Sequence, residues 1–171
     1  LNSLDGYDGW FTDNYGGDEN TTVKMPFQKK NTRKLDAIRD RIDELNLNDV
    51  DKSVILTSLL LALDTVDSTL GHFASYLSVW SKRSYNDLFL KLPELQKTFG
   101  KHNVIRRDIF DVVGDNYFDL AYFDPPYGSN NEKMPPSRVR YSAYYHLWTS
   151  VIKNDQPKIF GVVNRREDTR D

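Results

Sequence analysis

An apolar run that ends in an acid, two prolines and an aromatic constrains this chain more than any other feature. Residues 117–127 read YFDLAYFDPPY. The near-continuous apolar character of Tyr117–Phe123 predicts a central strand of a parallel sheet, covered on both faces. Pro125 keeps Asp124 out of the α region, and both prolines fix φ near about −65°. The turn is therefore stiff before any ligand arrives. Neither proline carries an N–H, so the turn presents acceptors: the Asp124 carboxylate and the Pro125 carbonyl. Tyr127 adds a flat aromatic face. In an open parallel sheet, ligands bind beyond the carboxyl ends of the strands, and this turn falls there.

Two fixed acceptors beside a ring suit a planar ligand with an exocyclic amino group. Each acceptor takes one N–H, and the ligand stacks on the tyrosine. An amine conjugated to a heteroaromatic ring is a poor nucleophile, because its lone pair is delocalised. Holding both hydrogens at tetrahedral-like angles localises that pair, and preorganised acceptors stabilise charge developing on the nitrogen. The amino groups of adenine and cytosine both fit. Asp-Pro-Pro also makes ordinary turns, and proline-rich stretches serve as ligands of binding modules. Against the second stands the apolar run that leads into the turn, where such ligands are disordered.

The rest of the composition narrows the class. A chain of 171 residues suggests one domain, or one plus an insertion. Its 23 basic and 25 acidic residues nearly cancel, which excludes a generic polycation that holds nucleic acid by charge alone. A local basic face stays open. The chain has no cysteine, so disulfides, Cys-rich zinc sites and thiolate nucleophiles are excluded. Three histidines without paired-ligand spacing predict no metal site. The longest apolar stretch, Val54–Val66, is broken by Thr57, Ser58 and Asp64 and falls short of the roughly 18 residues that span a bilayer. With no signal peptide in view, the expectation is a cytoplasmic protein with no membrane partner. The sequence opens on Leu1 without an initiator Met and stops at Asp171, and the expectation is a fragment of a longer chain.

Along the chain, residues 1–30 hold four of nine glycines among aromatics and read as irregular structure. The stretch Gly16–Asn20, GGDEN, resembles the GGDEF signature of diguanylate cyclases. It departs from it in Asn20 and in its polar flanks. Leu35, Ile38, Ile42 and Leu45 recur at helical spacing, so residues 31–45 predict an amphipathic helix capped by Asn31 or Thr32. A second helix is predicted from Val50 to Ser68, capped by Asp49, apolar nearly all round and broken by Gly71. Residues 72–95 read as partly helical, then loop. From residue 99 the pattern turns to short strands: Asn103–Asp108, Tyr117–Phe123 and Lys158–Val163, with one turn of helix at residues 109–113. A helix over residues 142–154 faces Ala143, Leu147, Val151 and Trp148 inward and ends before Pro157. This order predicts α/β architecture.

These residues carry a family resemblance. Asp124-Pro125-Pro126-Tyr127 resembles the catalytic signature of amino-group DNA methyltransferases. The wider pattern is similar to the DNA adenine methylase family. Its N-x-x-K-I-D-A-I-R segment corresponds to Asn31–Arg39, its Y-S-x-x-Y-H segment to Tyr141–His146, and a further block to Gly9–Tyr15. The resemblance implies a partial Rossmann-like S-adenosylmethionine-dependent methyltransferase sheet with a helical insertion. The expected organisation is an irregular segment at 1–30, a helical insertion at 31–98 that can contact DNA, and part of the catalytic core at 99–171. The implied activity is methyl transfer from S-adenosylmethionine to N6 of adenine, in double-stranded DNA with a flipped target base. A cognate restriction endonuclease is an implied partner. N4-cytosine methylation and a non-catalytic DNA-binding remnant are the alternatives.

The resemblance also assigns residues. Asp124, Pro125, Pro126 and Tyr127 are the catalytic set. Asp108 is either the acid that hydrogen-bonds the donor's adenine or a strand-end or capping acid. Lys82 and Arg83 are either a solvated face or DNA contacts; Lys82 suits a phosphate, and Arg83 can fork onto a guanine edge. Arg138, Arg140 and Tyr141 lie near the DNA and the flipped base, or form a solvated loop. His146 is either a packed structural histidine or a catalytic one. The glycine-rich donor motif, of the F-x-G-x-G kind after a first strand, is missing from these residues, and the expectation is that it precedes Leu1.

Overall fold

Segment Asn31–Arg39 is the hub of the fold. In a computed structural model, residues 1–20, 25–95, 97, 100–114, 117–124 and 141–170 are described. They divide into two units, Leu1–Pro93 with Arg140–Asp171, and Glu94–Val139. In the first unit the elements run α1 (Trp10–Tyr15), β1 (Gly16–Gly17), β2 (Phe27–Gln28), α2 (Lys29–Glu44), α3 (Asp49–Asp64) and a 3-10 turn (Lys82–Tyr85). The second unit carries α4 (Ile109–Val113). The first resumes with α5 (Tyr141–Tyr144), α6 (His146–Lys153), β3 (Ile159–Phe160), β4 (Arg165–Arg166) and a closing 3-10 turn (Glu167–Thr169).

Four side chains of α2 tie distant segments to it. Asn31 accepts from Leu88 N and donates to Asn86 O, both at 2.9 Å. Lys34 donates to the carbonyls of Asn2 and Leu4. Asp36, only 4% exposed, accepts from the backbone N–H groups of Gly9, Phe11 and Thr12 and from the Thr12 hydroxyl. Gly9 has no side chain to cap α1, so Asp36 caps it from 24 to 27 residues away. Arg39, 1% exposed, donates through Nε to Val151 O at 2.6 Å and through Nη2 to Asp43. The helix thus fixes α1 at one level and the end of α6 at the next.

Apolar spacing builds the core beneath these ties. Leu35, Ile38 and Ile42 are buried and pack with Phe11, Phe27, Leu59, Leu63, Phe73, Leu147 and Val151. Trp148 is partly buried, its ring edge-on to Phe73 at 4.7 Å. At Gly16 an added Cβ would lie 2.4 Å from Thr32 Oγ1 and 2.8 Å from Thr12 O, so only glycine lets β1 close on α2. β1 pairs in parallel with β2, and β3 antiparallel with β4.

Several expectations are corrected. Trp10–Tyr15 is helical, although the sequence reads as loop; its cap is non-local. Asn31 and Thr32 do not cap α2: that helix starts at Lys29, and Asn31 is spent on residues 86 and 88. Leu45 lies beyond the helix and is exposed. Asn48, not Asp49, caps α3, accepting from Asp51 N at 2.9 Å. α3 is not buried all round, since Val50 and Leu61 are 72% and 54% exposed. It ends at Asp64, and Gly71 takes its positive φ of 86° in a later turn. No α-helix forms in the described part of 72–95. The helix predicted over 142–154 is two helices parted at Tyr145, and α6 stops at Lys153 with Asn154 as its cap in the left-handed region at φ 50°.

The largest correction concerns the sheet. Described residues of 103–108 and 117–123 form no strand. Val104, Tyr117, Leu120 and Phe123 are exposed at 102%, 106%, 88% and 62%. A parallel strand takes its hydrogen bonds and its cover from neighbours on both sides, and no described residue supplies them. The described chain is a mixture of helices and two short two-stranded sheets. No helix among the described residues is long and apolar enough to cross a membrane.

Candidate active site

Asp124 is the last described residue before Pro125, and it is exposed. Among the described residues no ion pair engages its carboxylate. Pro125, Pro126 and Tyr127 lie outside the described residues, as do Arg138 and Arg140. Asp108 precedes α4 and caps it: its Oδ1 accepts from Phe110 N at 2.9 Å. It too is exposed. Between the two acids in sequence lies an apolar cleft of about 250 Å³, lined by Ile109, Val113, Phe118, Leu120, Tyr122 and Phe123 among others. Asp108 directly precedes the first of these residues and Asp124 directly follows the last. The cleft's apolar walls suit the face of an aromatic ring.

In the first unit, the 3-10 turn Lys82–Tyr85 presents two cations with different commitments. Lys82 is exposed and Arg83 half-buried over its length. Arg83 pairs with the carboxylate of Asp67, which is 1% exposed, and its Nε donates to the Asp67 carbonyl at 3.2 Å. Thr69 and Ser81 also hydrogen-bond Asp67. Burial raises the Asp67 carboxyl above its ordinary range, against the hydrogen bond of Thr69 and the charge of Arg83. Arg83 is thereby held in a fixed posture, and Lys82 is the cation left to solvent.

Tyr141 opens α5, its ring stacked on Tyr145 at 6.0 Å and 29°. His146 is fully buried; its Nε2 lies 3.3 Å from Phe73 O, and its ring sits near Tyr15 and Phe73. Burial draws its imidazole down to about 4, with Arg165 and Arg166 adding to the effect against the hydrogen bond to Phe73. A neutral, packed histidine is a structural one. Arg166 beside it is held by Asp155 and Asp168, at 2.7 and 2.8 Å.

Tyr145, the second tyrosine of the Y-S-x-x-Y-H segment, meets Tyr141 across the break between α5 and α6. Asp67 carries no local signal in the sequence, because its partner is 16 residues away.

Comparison with known proteins places the chain in a family. Residues 7–162 match the family model described as D12 class N6 adenine-specific DNA methyltransferase. The chain is similar to modification methylase StsI of Streptococcus sanguinis, 29% identical over 136 residues. That match covers 77% of this chain and 19% of that protein. It is similar to type II methyltransferase M.FokI of Planomicrobium okeanokoites, 24% identical over 84% of this chain and 21% of that protein. Type II methyltransferase M.NlaIII of Neisseria lactamica is 27% identical over 84% of this chain and 42% of its own length. The chain thus spans about a fifth of the first two relatives. No solved structure matches it. With the family model covering all but the first six and last nine residues, the chain belongs to the D12 class N6 adenine-specific DNA methyltransferase family.

Proposed function

We propose that this chain carries the target-base side of an enzyme that methylates N6 of adenine in double-stranded DNA. The observation that carries the reading is the exposed Asp124, which the sequence Pro-Pro-Tyr follows, in a chain of this family. The Asp124 carboxylate and the Pro125 carbonyl each accept one hydrogen of the amino group of a flipped adenine. Pro126 stiffens the turn, and Tyr127 stacks on the purine. Held this way, the nitrogen's lone pair leaves conjugation and points at the methyl carbon. S-adenosylmethionine supplies that carbon as a sulfonium methyl. The N–C bond forms as the S–C bond breaks, the electron pair stays on sulfur, and one amino proton departs to solvent.

The donor's adenosine suits the cleft between residues 109 and 123, with Asp108 accepting from one of its polar hydrogens. The cleft's volume and apolar walls match a fused ring, and Asp108 Oδ2 is outside the bond that caps α4. A Rossmann-like sheet in the complete enzyme would give the exposed apolar side chains of residues 103–108 and 117–123 the cover that they lack here. Lys82, Arg138 and Arg140 meet phosphates, Tyr141 lies at the DNA, and Arg83 positions the turn that presents Lys82. The relatives' names, modification methylase and type II methyltransferase, support a role in restriction–modification; a cognate endonuclease partner and a place in the cytoplasm go with that reading.

The product decides. Duplex DNA is incubated with isotopically labelled donor and the complete protein, including any residues upstream of Leu1, then digested to nucleosides. Label in N6-methyladenine is the expected result. Label in N4-methylcytosine, or in no base, contradicts the reading.

A further inference from the structure

Strand β4 sets two arginines side by side with opposite commitments, because successive residues of a strand face opposite sides. Arg166 is buried and saturated by Asp155, Asp168 and Ser150. Arg165 is half-buried and is not. Its Nη2 donates to Ala74 O at a long 3.4 Å, and its Nε is closed off from solvent without an acceptor. Among the described residues no carboxylate pairs with it, whereas Arg33, Arg39, Arg41, Arg83 and Arg170 of the same unit each pair with one. The backbone leading into it is pinned. Tyr76 and Tyr15, both buried, donate to the carbonyls of Val163 and Asn164 at 2.8 and 2.6 Å. Asn164, in the left-handed region at φ 52°, donates through its side chain to Asn14 O at 2.6 Å.

A titratable group in such a place can stay neutral, as His146 nearby does, helped by the charge of Arg165. A guanidinium has no such escape. Arg165 therefore carries a half-buried charge that no described acid compensates, and an oxyanion would recover that cost. The planar fork offers parallel N–H groups to two oxygens of one phosphate. We propose that Arg165 is a phosphate-binding residue that takes a phosphodiester of the DNA backbone. The proposal rests on the DNA methyltransferase reading, and its residues lie wholly within the first unit. A pinned backbone leaves little freedom to lose when the phosphate arrives. The carboxylate of the methyl donor is the other oxyanion of that reaction, and the test separates the two.

The complete protein is compared with its Arg165→Gln and Arg165→Lys variants. Affinity for a fluorescent duplex is followed by anisotropy across salt concentrations, donor affinity by calorimetry with S-adenosylhomocysteine, and stability by urea unfolding. Arg165→Gln is expected to bind the duplex roughly tenfold more weakly, with a salt slope shallower by about 0.9. Its affinity for S-adenosylhomocysteine and its unfolding midpoint should hold. Arg165→Lys, which keeps the charge but not the fork, should keep the slope and lose part of the affinity. Unchanged duplex affinity and slope in Arg165→Gln overturn the proposal. A loss confined to S-adenosylhomocysteine also overturns it and assigns the arginine to the donor. An unfolding midpoint lowered as far as Arg166→Gln lowers it makes Arg165 a structural brace instead. Wild type that binds no duplex overturns the DNA reading itself, a result distinct from the others.

Discussion

Lowering pH should destabilise this chain through His146. The ring is fully buried, one of its nitrogens faces Phe73 O, and among the described residues its Nδ1 has no partner. Burial first, and then the charges of Arg165 and Arg166, draw its imidazole from 6.5 down to about 4. In the unfolded chain the ring takes up a proton near the ordinary value. Between the two values the unfolded state binds more protons, so stability rises with pH. The contribution is complete above the unfolded value and declines as pH falls toward about 4. Going from about pH 7.5 to about pH 5, linkage gives a loss of about 2 kcal/mol. Urea unfolding across that range measures it, and His146→Gln, which keeps a donor for Phe73 O, is the control. Asp36 and Asp67, whose carboxyls are raised by burial and act in the opposite sense, contribute equally to both proteins. The difference in slope therefore belongs to His146. Equal slopes in the two proteins would refute the reasoning.

Two further perturbations test the scaffold around the site. Asp36→Asn replaces an acceptor of three backbone N–H groups and one hydroxyl with an amide that cannot satisfy them all; the expected cost is about 2 to 3 kcal/mol in urea unfolding, and a loss below about 0.5 kcal/mol would show that α1 needs no distant cap. Arg83→Ala leaves the buried Asp67 with Thr69 as its carboxylate's remaining partner and should destabilise by about 1 to 2 kcal/mol. Lys82→Ala should leave stability unchanged but lower the salt dependence of DNA binding by about one phosphate contact, read from affinity against salt concentration. Exchanged effects would mean that the two cations have been assigned the wrong way round.

What was legible in the sequence was local. The three- and four-residue spacing of Leu35, Ile38 and Ile42 located α2, and that of Ala143, Leu147 and Val151 gave the inward face of the α5–α6 segment, because a helix makes its hydrogen bonds within itself. The strands at 103–108 and 117–123 failed for the opposite reason: an apolar run becomes a strand only beside other strands. Caps were misjudged where a side chain had a stronger distant use, as at Asn31. The helix at Trp10–Tyr15 was missed because Asp36, far along the chain, holds it. Of the site, Asp124 was singled out from residue types alone and is exposed, while the three residues after it lie outside the described ones. The brace between Asp67 and Arg83 was not legible, because nothing within either segment points to the other.

The central claim is that the Asp124 carboxylate holds the amino group whose nitrogen accepts the methyl. Its most direct test is single-turnover methyl transfer by the complete protein carrying Asp124→Ala, with DNA and donor both saturating and DNA affinity measured alongside. The account predicts a fall of roughly a hundred- to a thousandfold in rate, the scale of losing one preorganised charge-stabilising group, with DNA binding largely intact. Turnover within about twofold of wild type would contradict it.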